Sequence, residues 1–416
     1  MLNKDNIREL AYVVTIDDIT PIESYDRVEL AHVGGWTIVV GKGEFRKGNP
    51  AIYFEIDSKL PEVEPFTNME FLAKKKYKIK TQRMCKSISQ GLLMSAANFR
   101  WRIEQDADND VFVIVDDKNI HHRTDDESRF LTKQLGVTYN DPADNTRKTA
   151  STDKYKKMAQ RNGKLFTKQP FRWLMKREWG RKLLFVFFGK KRDKKTSFPT
   201  HFPYIKKTDQ ERCENMTWVL NDKTPFIVTQ KCDGSSGTYI LERKKFNKFE
   251  FYVCSRNVRQ LTPDQKSFYD DNYYWDCAIK YDIENKLKDY LNKHPDLTYV
   301  CWQGEVCSPA IQKNPQGLTE THLFLFHMID SVKGKYDIRE AAKIWKEYNM
   351  EIVPIVDENY ILPDDFEEFK LSADGFYDST CCEGKNKQPR EGFVYYKTTD
   401  PNFSFKNVSR NYLLKH

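Results

Sequence analysis

A lysine in the middle of the chain has the setting of a catalytic nucleophile. The segment QKCDGSSGTYI contains Lys231, Asp233 and Gly234 in the pattern K-x-D-G, between two strand-like stretches. A lysine side chain is a nucleophile only as the free amine, and its reference pKa is about 10.4. We therefore expect the site to depress the pKa of Lys231 through burial or neighbouring cations. The pattern alone is weak evidence, because Asp-Gly is an ordinary turn and a surface lysine beside it is the alternative.

Further short motifs follow the lysine in an order that strengthens this interpretation. They are SRN with Arg256, QGEV with Glu305, LFLFHMID with Phe324 and Phe326, REGFVYY with Glu391, and FSFKNVS with Lys406. Together with K-x-D-G, these elements in this order are hard to obtain by chance.

With these motifs the chain resembles the covalent nucleotidyltransferases, the superfamily of ATP-dependent RNA and DNA ligases and messenger-RNA capping enzymes. The segments DRVELAHVGGWTIVVGKGEFRKGN, KIKTQRMCKSISQGLLM and FPYIKKTDQERCEN narrow the resemblance. They are similar to RNA ligases of the Deinococcus and Naegleria type, which carry an oligonucleotide-binding (OB) domain ahead of the ligase domain. The resemblance covers about residues 1–100 and 198–416. An acidic patch at 104–127 and most of a basic connector lie outside it.

The resemblance implies a phosphate-handling group of residues. Lys231 would attack the α-phosphate of ATP, with Asp233 in the same catalytic motif. Lys406 would counter the charge that accumulates on the α-phosphate. Arg212 stands where RNA ligases of this group place an arginine near the phosphates. Glu391 would be the carboxylate ligand of Mg²⁺ or Mn²⁺, ions that prefer oxygen ligands and phosphate.

The resemblance also implies contacts to the rest of the nucleotide. Gly234 completes the nucleotide-binding loop, Glu305 would accept hydrogen bonds from the ribose hydroxyls, and Arg256 would contact ribose or phosphate. Phe324 would stack on adenine, with Phe326 on the same strand face as the second candidate.

Each of these roles has a plainer alternative. For Glu305 and Glu391 the alternative is that they are ordinary exposed acids. An aromatic residue in an apolar strand is usually part of the core, which is the alternative for Phe324. His322 and His327 flank that strand without any catalytic or zinc-ligand spacing, so we expect both to serve in packing.

Two departures from the pattern of the family bear on activity. Ser404 stands two residues before Lys406, where these ligases usually have a second lysine, and Lys397 is a candidate to replace the missing contact. Gln230 precedes the nucleophile where relatives often have glutamate. The serine favours the interpretation that the chain keeps the fold without full catalytic power.

The elements that position these residues fall into three regions. Residues 1–100 contain short β-branched and aromatic runs separated by turns, which predict an all-β OB-like barrel. Residues 101–197 form a charged connector with an amphipathic helix in FRWLMKREWGRKLLFVFF. Residues 198–416 alternate strands and helices. The predicted fold is α+β, with the barrel followed by an α+β nucleotidyltransferase domain of the ATP-grasp-like ligase kind.

Positive charge is concentrated in two stretches. Residues 147–207 hold 20 Lys and Arg residues against three acidic residues, although the whole chain carries only +8. The run KKKYKIKTQR puts Lys74, Lys76, Lys78 and Lys80 on one face of any strand that it forms. Clustered cations suit a polyphosphate partner such as RNA, because neutralised phosphates release counterions. A solvated face or a disordered connector explains such runs equally well.

Cysteine usage and hydropathy limit where the protein acts. Nine cysteines stand at irregular positions with no C-x-x-C pair, which disfavours both a zinc site and a disulfide framework. The first residues contain no apolar signal segment. The longest apolar run, residues 183–188, is far shorter than the roughly 18 residues that a spanning helix needs. We expect a cytoplasmic or nuclear protein that is not secreted and contacts no membrane.

We therefore expect an ATP-dependent RNA ligase that joins 3′-hydroxyl and 5′-phosphate ends through a lysyl-AMP intermediate and seals nicks in RNA repair. Its partner would be RNA, alone or in an RNA/DNA duplex with a nick, and the protein would be a monomer. Trp36 is a candidate for stacking on a base. Only ten residues follow Lys406, which leaves no room there for the second barrel of capping enzymes. A non-catalytic RNA-binding protein and a GTP-dependent capping guanylyltransferase stay open as alternatives.

Overall fold

The computed structural model describes most of the chain and two compact units within it. One unit is formed by Met1–Thr138 with Phe198–His416, and the other by Tyr139–Ser197. The larger unit contains a β-barrel followed by an α+β domain, which confirms the predicted fold class. The described residues are 1–106, 111–116, 120–121, 129–139, 171–175, 177, 179–180, 182–184, 209–256, 272–383 and 388–415.

The barrel is built from short strands whose side chains alternate between core and surface. In β4 every second side chain is buried, the pattern of a strand with one face toward a core. Alternate residues of β1 and β5 enter two different apolar cores, so these strands lie between the cores. The strands pair as β1-β5-β9, β2-β3-β4 and β7-β8. They are β1 (Ala11–Thr15), β2 (Asp18–Ile22), β3 (Tyr25–Val33), β4 (Trp36–Gly41), β5 (Pro50–Phe54), β6 (Ser58–Lys59), β7 (Thr81–Met84), β8 (Ser87–Gln90) and β9 (Leu92–Met94).

The chain beyond residue 100 also contributes to this module. Leu131 and Val137 are buried in one of the barrel cores. Three strands, β10 (Trp101–Asp106), β11 (Val111–Asp116) and β12 (Ile120–His121), form an antiparallel sheet, and β13 (Thr138–Tyr139) pairs with β6.

The lysine run between β6 and β7 does not form one strand. Helix α1 (Glu70–Lys74) ends at its first lysines, and Lys78 forms an isolated bridge with Lys59. Lys76 has a positive φ of 52°, which is incompatible with an extended strand. The prediction of a single lysine face on a strand is therefore wrong.

In the second unit, helix α2 (Phe171–Met175) lies within the predicted amphipathic segment. The guanidinium of Arg177 lies 4.4 Å from the ring centroid of Trp173, which also meets Trp179 edge-on. Most of the acidic patch and of the connector lies outside the described residues.

The α+β domain contains two five-stranded sheets. The first sheet has the order β14-β23-β22-β15-β21, and the second sheet has the order β17-β16-β18-β19-β20. The strands are β14 (Glu211–Arg212), β15 (Phe226–Gln230), β16 (Ser235–Arg243), β17 (Phe249–Ser255), β18 (Tyr299–Cys307), β19 (His322–Asp330), β20 (Gly334–Lys335), β21 (Ile355–Tyr360), β22 (Gly392–Lys397) and β23 (Asp400–Val408). The helices are α3 (Tyr273–Lys280), α4 (Ile283–Lys293), α5 (Ile338–Glu347), α6 (Phe366–Ser372) and α7 (Arg410–Lys415).

The local sequence explains these elements. The predicted alternation of strands and helices is present, because apolar runs such as HLFLFHMID are buried on both faces of a strand while α4 and α5 bury one face. Side-chain caps begin two of the helices. Asp337 accepts from the backbone N–H of Arg339 at α5, and Asp365 accepts from that of Glu368 at α6.

Two further features of the described chain concern its thiols and the length of its helices. All nine cysteines are free thiols. Among the described residues, no helix combines the length and the apolar character that crossing a bilayer requires.

A buried carboxylate, Glu55, lies where the barrel meets the α+β domain. Its side chain is fully buried. It accepts hydrogen bonds from the Tyr12 hydroxyl at 3.1 Å and from Asn215 Nδ2 at 3.4 Å, and it forms ion pairs with Arg8 and Arg212. Because these partners come from both domains, the carboxylate links them.

The two domains also meet backbone to backbone. The N–H of Gly35 donates to the carbonyl oxygen of Glu214 at 2.8 Å. A Cβ at position 35 would lie 2.2 Å from the Phe366 ring, so only glycine permits this approach. Beside it, the indole N–H of Trp36 donates to Asn215 Oδ1 at 2.7 Å.

The charge of Glu55 predicts a loss of stability in acid. Although burial raises it, the amino-terminal nitrogen, Arg8 and Arg212 lower the pKa of Glu55 to about 2. Its stabilising effect is therefore complete above the unfolded pKa of about 4.3 and is lost as the pH falls toward 2, a change of about 3 kcal/mol. We expect the urea midpoint of wild type to fall more between pH 7 and pH 3 than that of Glu55→Gln. Equal pH dependence of both proteins would contradict this assignment.

A second buried pair predicts an asymmetric mutational effect. Lys370 Nζ lies 2.6 Å from Glu214 Oε1, and both side chains are fully buried. Lys370→Met would leave the carboxylate without its counter-charge, at a cost of about 3–5 kcal/mol in the free energy of unfolding. The double variant Glu214→Met with Lys370→Met removes both charges and should recover part of this loss. Urea titration measures both, and a double variant less stable than Lys370→Met would refute the interpretation.

Candidate active site

The K-x-D-G loop crosses between the two sheets of the α+β domain. β15 of the first sheet ends directly before Lys231, and β16 of the second sheet begins directly after Gly234. The loop lies close to β18, since a Cβ at position 234 would be 2.4 Å from the carbonyl oxygen of Val306. Because glycine has no Cβ, the loop can approach β18 this closely and carry the lysine between the two sheets.

Strand register brings three of the predicted nucleotide contacts to this end of the second sheet. Glu305 on β18 lies opposite Ser236 on β16, and Phe324 on β19 lies opposite Glu305. Arg256 follows β17 directly, whose last residue pairs with Gly237. All three positions lie next to the start of β16, where the chain leaves the loop.

The first sheet supplies the remaining predicted residues. The backbone N–H of Lys231 donates to the carbonyl oxygen of Gly392 at 2.9 Å, which places Glu391 beside the lysine. On the next strand, Lys406 lies opposite Arg212 of β14. The predicted residues therefore converge from both sheets on one end of the domain.

The nucleophile candidate is held by a carboxylate. Lys231 Nζ lies 2.8 Å from Glu391 Oε1, and the two side chains are 23% and 13% exposed. Burial opposes the positive charge, but Glu391 and Glu305, together with Asp233, outweigh it and raise the pKa of Lys231 above its ordinary value. The prediction of a depressed pKa is therefore wrong for the nucleotide-free protein, in which the lysine is an ammonium ion.

Two carboxyl groups near the lysine have pKa values above their ordinary ones. Burial, followed by the Glu391 carboxylate, raises the pKa of Asp233 to about 7, against the effects of Tyr412 and Lys231. Burial also raises the pKa of Glu305 to about 8, although Lys231 acts against it. Three carboxyl groups surround one lysine, so the site favours the binding of additional positive charge.

A second cluster, of cations, borders the lysine. The carboxylate of Asp209 contacts Lys406 Nζ at 3.1 Å, Arg256 Nη2 at 2.8 Å and Arg8 Nε at 3.4 Å. Burial lowers the pKa of Lys406 to about 8, with nearby cations acting in the same direction and Asp209 against them. Arg8 is also paired with Glu55, so Asp209 is left to balance Lys406 and Arg256, and two cations beside one carboxylate suit phosphate groups.

Arg212 is fixed by the barrel. Its Nη2 donates to Asp57 Oδ2 at 2.9 Å, and its Nε lies 3.6 Å from Glu55 Oε1. Its Nη1 is buried without a hydrogen-bond partner among the described residues. The arginine therefore has a donor that an incoming anion can satisfy.

The two aromatic candidates lie beside the nucleophile. Phe324 is 3% exposed and stacks on the His322 imidazole, with ring centroids 5.7 Å apart and planes 6° apart. Phe326 is 8% exposed. Both belong to the apolar cluster that includes Cys232, the neighbour of Lys231.

The side chains of three further residues named in the sequence analysis make contacts other than those with a nucleotide or RNA. Lys397 Nζ bonds to Asp222 Oδ2 at 2.5 Å, at the opposite end of β22 from Glu391, so it does not replace the lysine missing at position 404. Trp36 is 1% exposed in the barrel core, and its buried ring is not available to stack on a base. Gln230 is buried, and its Oε1 accepts from the backbone N–H of Asp378.

The site fits a divalent cation that has few protein ligands. Glu391 Oε2 is buried without a hydrogen-bond partner in the described part of the chain. No group of three or more His, Cys, Asp or Glu side chains among the described residues is arranged to hold a metal. Mg²⁺ commonly binds through one or two carboxylates together with substrate phosphates and water, and Glu391 suits that mode.

Two residues of the site escaped the analysis of the sequence. Asp209 lies in the segment FPYIKKTDQERCEN, so the resemblance pointed to its neighbourhood without giving it a role. Tyr412, whose hydroxyl donates to Asp233 Oδ2 at 2.5 Å, follows all of the motifs, and no sequence signal marks it.

Two family models match separate parts of the chain. Residues 10–96 match a family model described as an OB-fold domain. Residues 224–410 match the family model of RNA ligase. No curated protein sequence matches the chain.

Solved structures of Naegleria gruberi RNA ligase resemble nearly the whole chain. The form with PPi is 26% identical, covers 99% of each chain and has a TM-score of 0.67. A mutant with AMP and Mn is 27% identical, over 98% of this chain and 99% of that chain, with a TM-score of 0.67. Another mutant, with ATP and Mn, is 26% identical over the same shares, with a TM-score of 0.66. The RNA ligase match over residues 224–410 and this likeness of structure, at 26–27% identity, show that the protein is similar to RNA ligases over nearly its whole length.

Proposed function

We propose that this protein is an ATP-dependent RNA ligase that joins a 3′-hydroxyl to a 5′-phosphate through a lysyl-AMP intermediate on Lys231. The observation that carries the proposal is the position of the Lys231 amine, 2.8 Å from Glu391 and next to the cations gathered at Asp209. The similar Naegleria structures contain ATP, AMP or PPi, which are the substrate and the products expected of such a transfer.

In the first step, the Lys231 amine attacks the α-phosphorus of ATP. A nitrogen–phosphorus bond forms, the bond between the α-phosphorus and the bridging oxygen breaks, and pyrophosphate leaves. The ammonium of the resting protein must lose its proton before this attack. Lys406, Arg212 and Arg256 would stabilise the negative charge that develops on the phosphates.

Mg²⁺ or Mn²⁺ at Glu391 would supply positive charge beside the lysine and the α-phosphate. With a cation held there, Glu391 would no longer pair with Lys231, and the strongest support for the ammonium form would be lost. The buried, unpartnered Oε2 of Glu391 supports this role.

The second sheet would bind the nucleoside. Glu305 would accept from the ribose hydroxyls, and its neighbour Phe324 would stack on adenine, with Phe326 as the second candidate. Gly234 would let the loop approach the nucleotide, and Asp233 would complete the catalytic motif. The adjacency of Glu305 and Phe324 across β18 and β19 supports one binding surface for sugar and base.

In the later steps, AMP passes to a 5′-phosphate on RNA, and a 3′-hydroxyl attacks that activated end to release AMP. We propose a nick in RNA or in an RNA/DNA duplex as the substrate and RNA repair as the setting. The protein would act as a monomer. The nine free cysteines favour a reducing compartment, the cytoplasm or the nucleus.

Removal of the nucleophile tests the first step. With α-labelled ATP and Mg²⁺, the wild-type protein should retain label on a denaturing gel, because the phosphoramide bond is covalent. Lys231→Ala should reduce labelling by about 10³-fold or more. Lys397→Ala, a lysine in an ion pair away from the site, should label like wild type.

The same gel distinguishes the alternatives. Label from GTP and none from ATP would indicate a capping guanylyltransferase. Absence of label from wild type with either nucleotide would leave a non-catalytic RNA-binding protein.

Neutralising the carboxylate partner should have opposite effects on two reactions of the lysine. Glu391→Gln removes a charge that raises the pKa of Lys231, so at pH 8 a larger share of the lysine is free amine. Acetylation of Lys231 by acetic anhydride, without nucleotide or metal, should become faster, by about tenfold for each unit of fall in its pKa. Adenylylation by ATP should become slower, because the metal loses its ligand.

Peptide mass spectrometry measures the acetylation, and Glu383→Gln, which alters a glutamate bonded to Thr319, serves as the control. Unchanged or slower acetylation of Lys231 in Glu391→Gln would contradict the role given to this carboxylate.

A further inference from the structure

Helix α7 is attached to the active site at its first residues. Arg410 forms a bidentate ion pair with Glu367 of α6, at 2.6 and 2.8 Å. The preceding residue, Ser409, donates its backbone N–H to the carbonyl oxygen of Glu391 at 2.9 Å and its hydroxyl to Asp374 Oδ1 at 2.6 Å. The start of the helix is therefore fixed relative to the carboxylate that holds Lys231.

The next turn of α7 contacts both domains. Leu413 packs against the apolar core of the barrel that contains Trp36 and Tyr53. The neighbouring residue, Tyr412, is partly buried, and its hydroxyl donates to Asp233 Oδ2 at 2.5 Å. Support on both sides fixes the hydroxyl, which can therefore hold the carboxylate in one orientation.

The orientation of Asp233 matters because of its neighbours. It lies two residues after Lys231 and adds to the negative charge that Glu391 and Glu305 place around the amine. If this carboxylate were free to turn toward the amine, it would add a second contact to the ammonium and place negative charge near the incoming α-phosphate. A hydroxyl donor that engages Oδ2 prevents that rotation and disperses part of the charge.

We propose that Tyr412 is a positioning residue for the adenylylation of Lys231 and that it acts through Asp233. The proposal rests on the proposed function. The role belongs to the chemical step and not to nucleotide affinity, because the hydroxyl bonds to a protein carboxylate in the catalytic loop. Tyr412 thus links a helix that packs on the barrel to the loop that carries the nucleophile.

Removal of this hydroxyl should slow the chemical step alone. In single-turnover reactions with labelled ATP and Mg²⁺, Tyr412→Phe should lower the rate at saturating ATP by about tenfold. The ATP concentration for half-maximal rate should stay within about twofold of wild type. Asp233→Ala and the double variant complete a mutant cycle. Because each single change removes the same hydrogen bond, the double variant should react no more slowly than Asp233→Ala.

Tyr348→Phe is the matched control, since the Tyr348 hydroxyl donates to Asp289 Oδ2 at 2.7 Å, in a bond of the same type away from the site. Tyr348→Phe should react like wild type. The thermal unfolding midpoints of Tyr348→Phe and Tyr412→Phe should agree with each other. A wild-type rate for Tyr412→Phe, a rise in half-maximal ATP as its only effect, or rate losses that multiply in the double variant would each overturn the proposal. A wild-type protein that takes no label would instead refute the proposed function.

Discussion

The ion pair between Lys231 and Glu391 is the interaction on which the active site depends. It places the amine at the junction of the two sheets, and the same contact keeps the amine protonated. A protonated amine has no lone pair for attack on phosphorus, so the arrangement that positions the nucleophile also keeps it inactive. The resting protein is therefore protected against reaction with other electrophiles until positive charge arrives at the carboxylate.

The cations near the lysine surround a carboxylate, whereas the lysine itself is surrounded by carboxylates. Asp209 contacts Lys406, Arg256 and Arg8 from three separate parts of the chain, and because Glu55 also pairs with Arg8, Asp209 balances mainly a part of the charge of the other two. Carboxylates that surround an amine thus lie next to cations that surround a carboxylate. A nucleoside triphosphate with its metal would carry charge of both signs and would complement both groups at once.

Part of this site could be predicted from the sequence. K-x-D-G between two strand-like segments gave a loop between strands, and the apolar runs around Glu305 and Phe324 gave the strands that carry these two residues. The direction of the Lys231 pKa shift could not be predicted, because it is the sum of burial and three carboxylates that only the fold brings together.

Other parts of the site depend on contacts between distant segments. Asp209 bonds to Lys406, 197 residues away in the chain, and Tyr412 bonds to Asp233, 179 residues away, and no local pattern records such contacts. Trp36 and Lys397 were misjudged for a related reason. A tryptophan in a barrel strand and a lysine near a motif look available in a sequence, whereas their burial and pairing depend on neighbours from other segments.

The close approach at Gly35 has a consequence for exchanging modules between relatives. A barrel grafted from another ligase would have to bring its own glycine to this contact, or the recipient would need a smaller side chain than Phe366 there. Chimeras joined within the connector would take the barrel from one parent and the surface that contacts Gly35 from the other. Gly35, the 213–215 segment and Phe366 therefore have to come from the same parent.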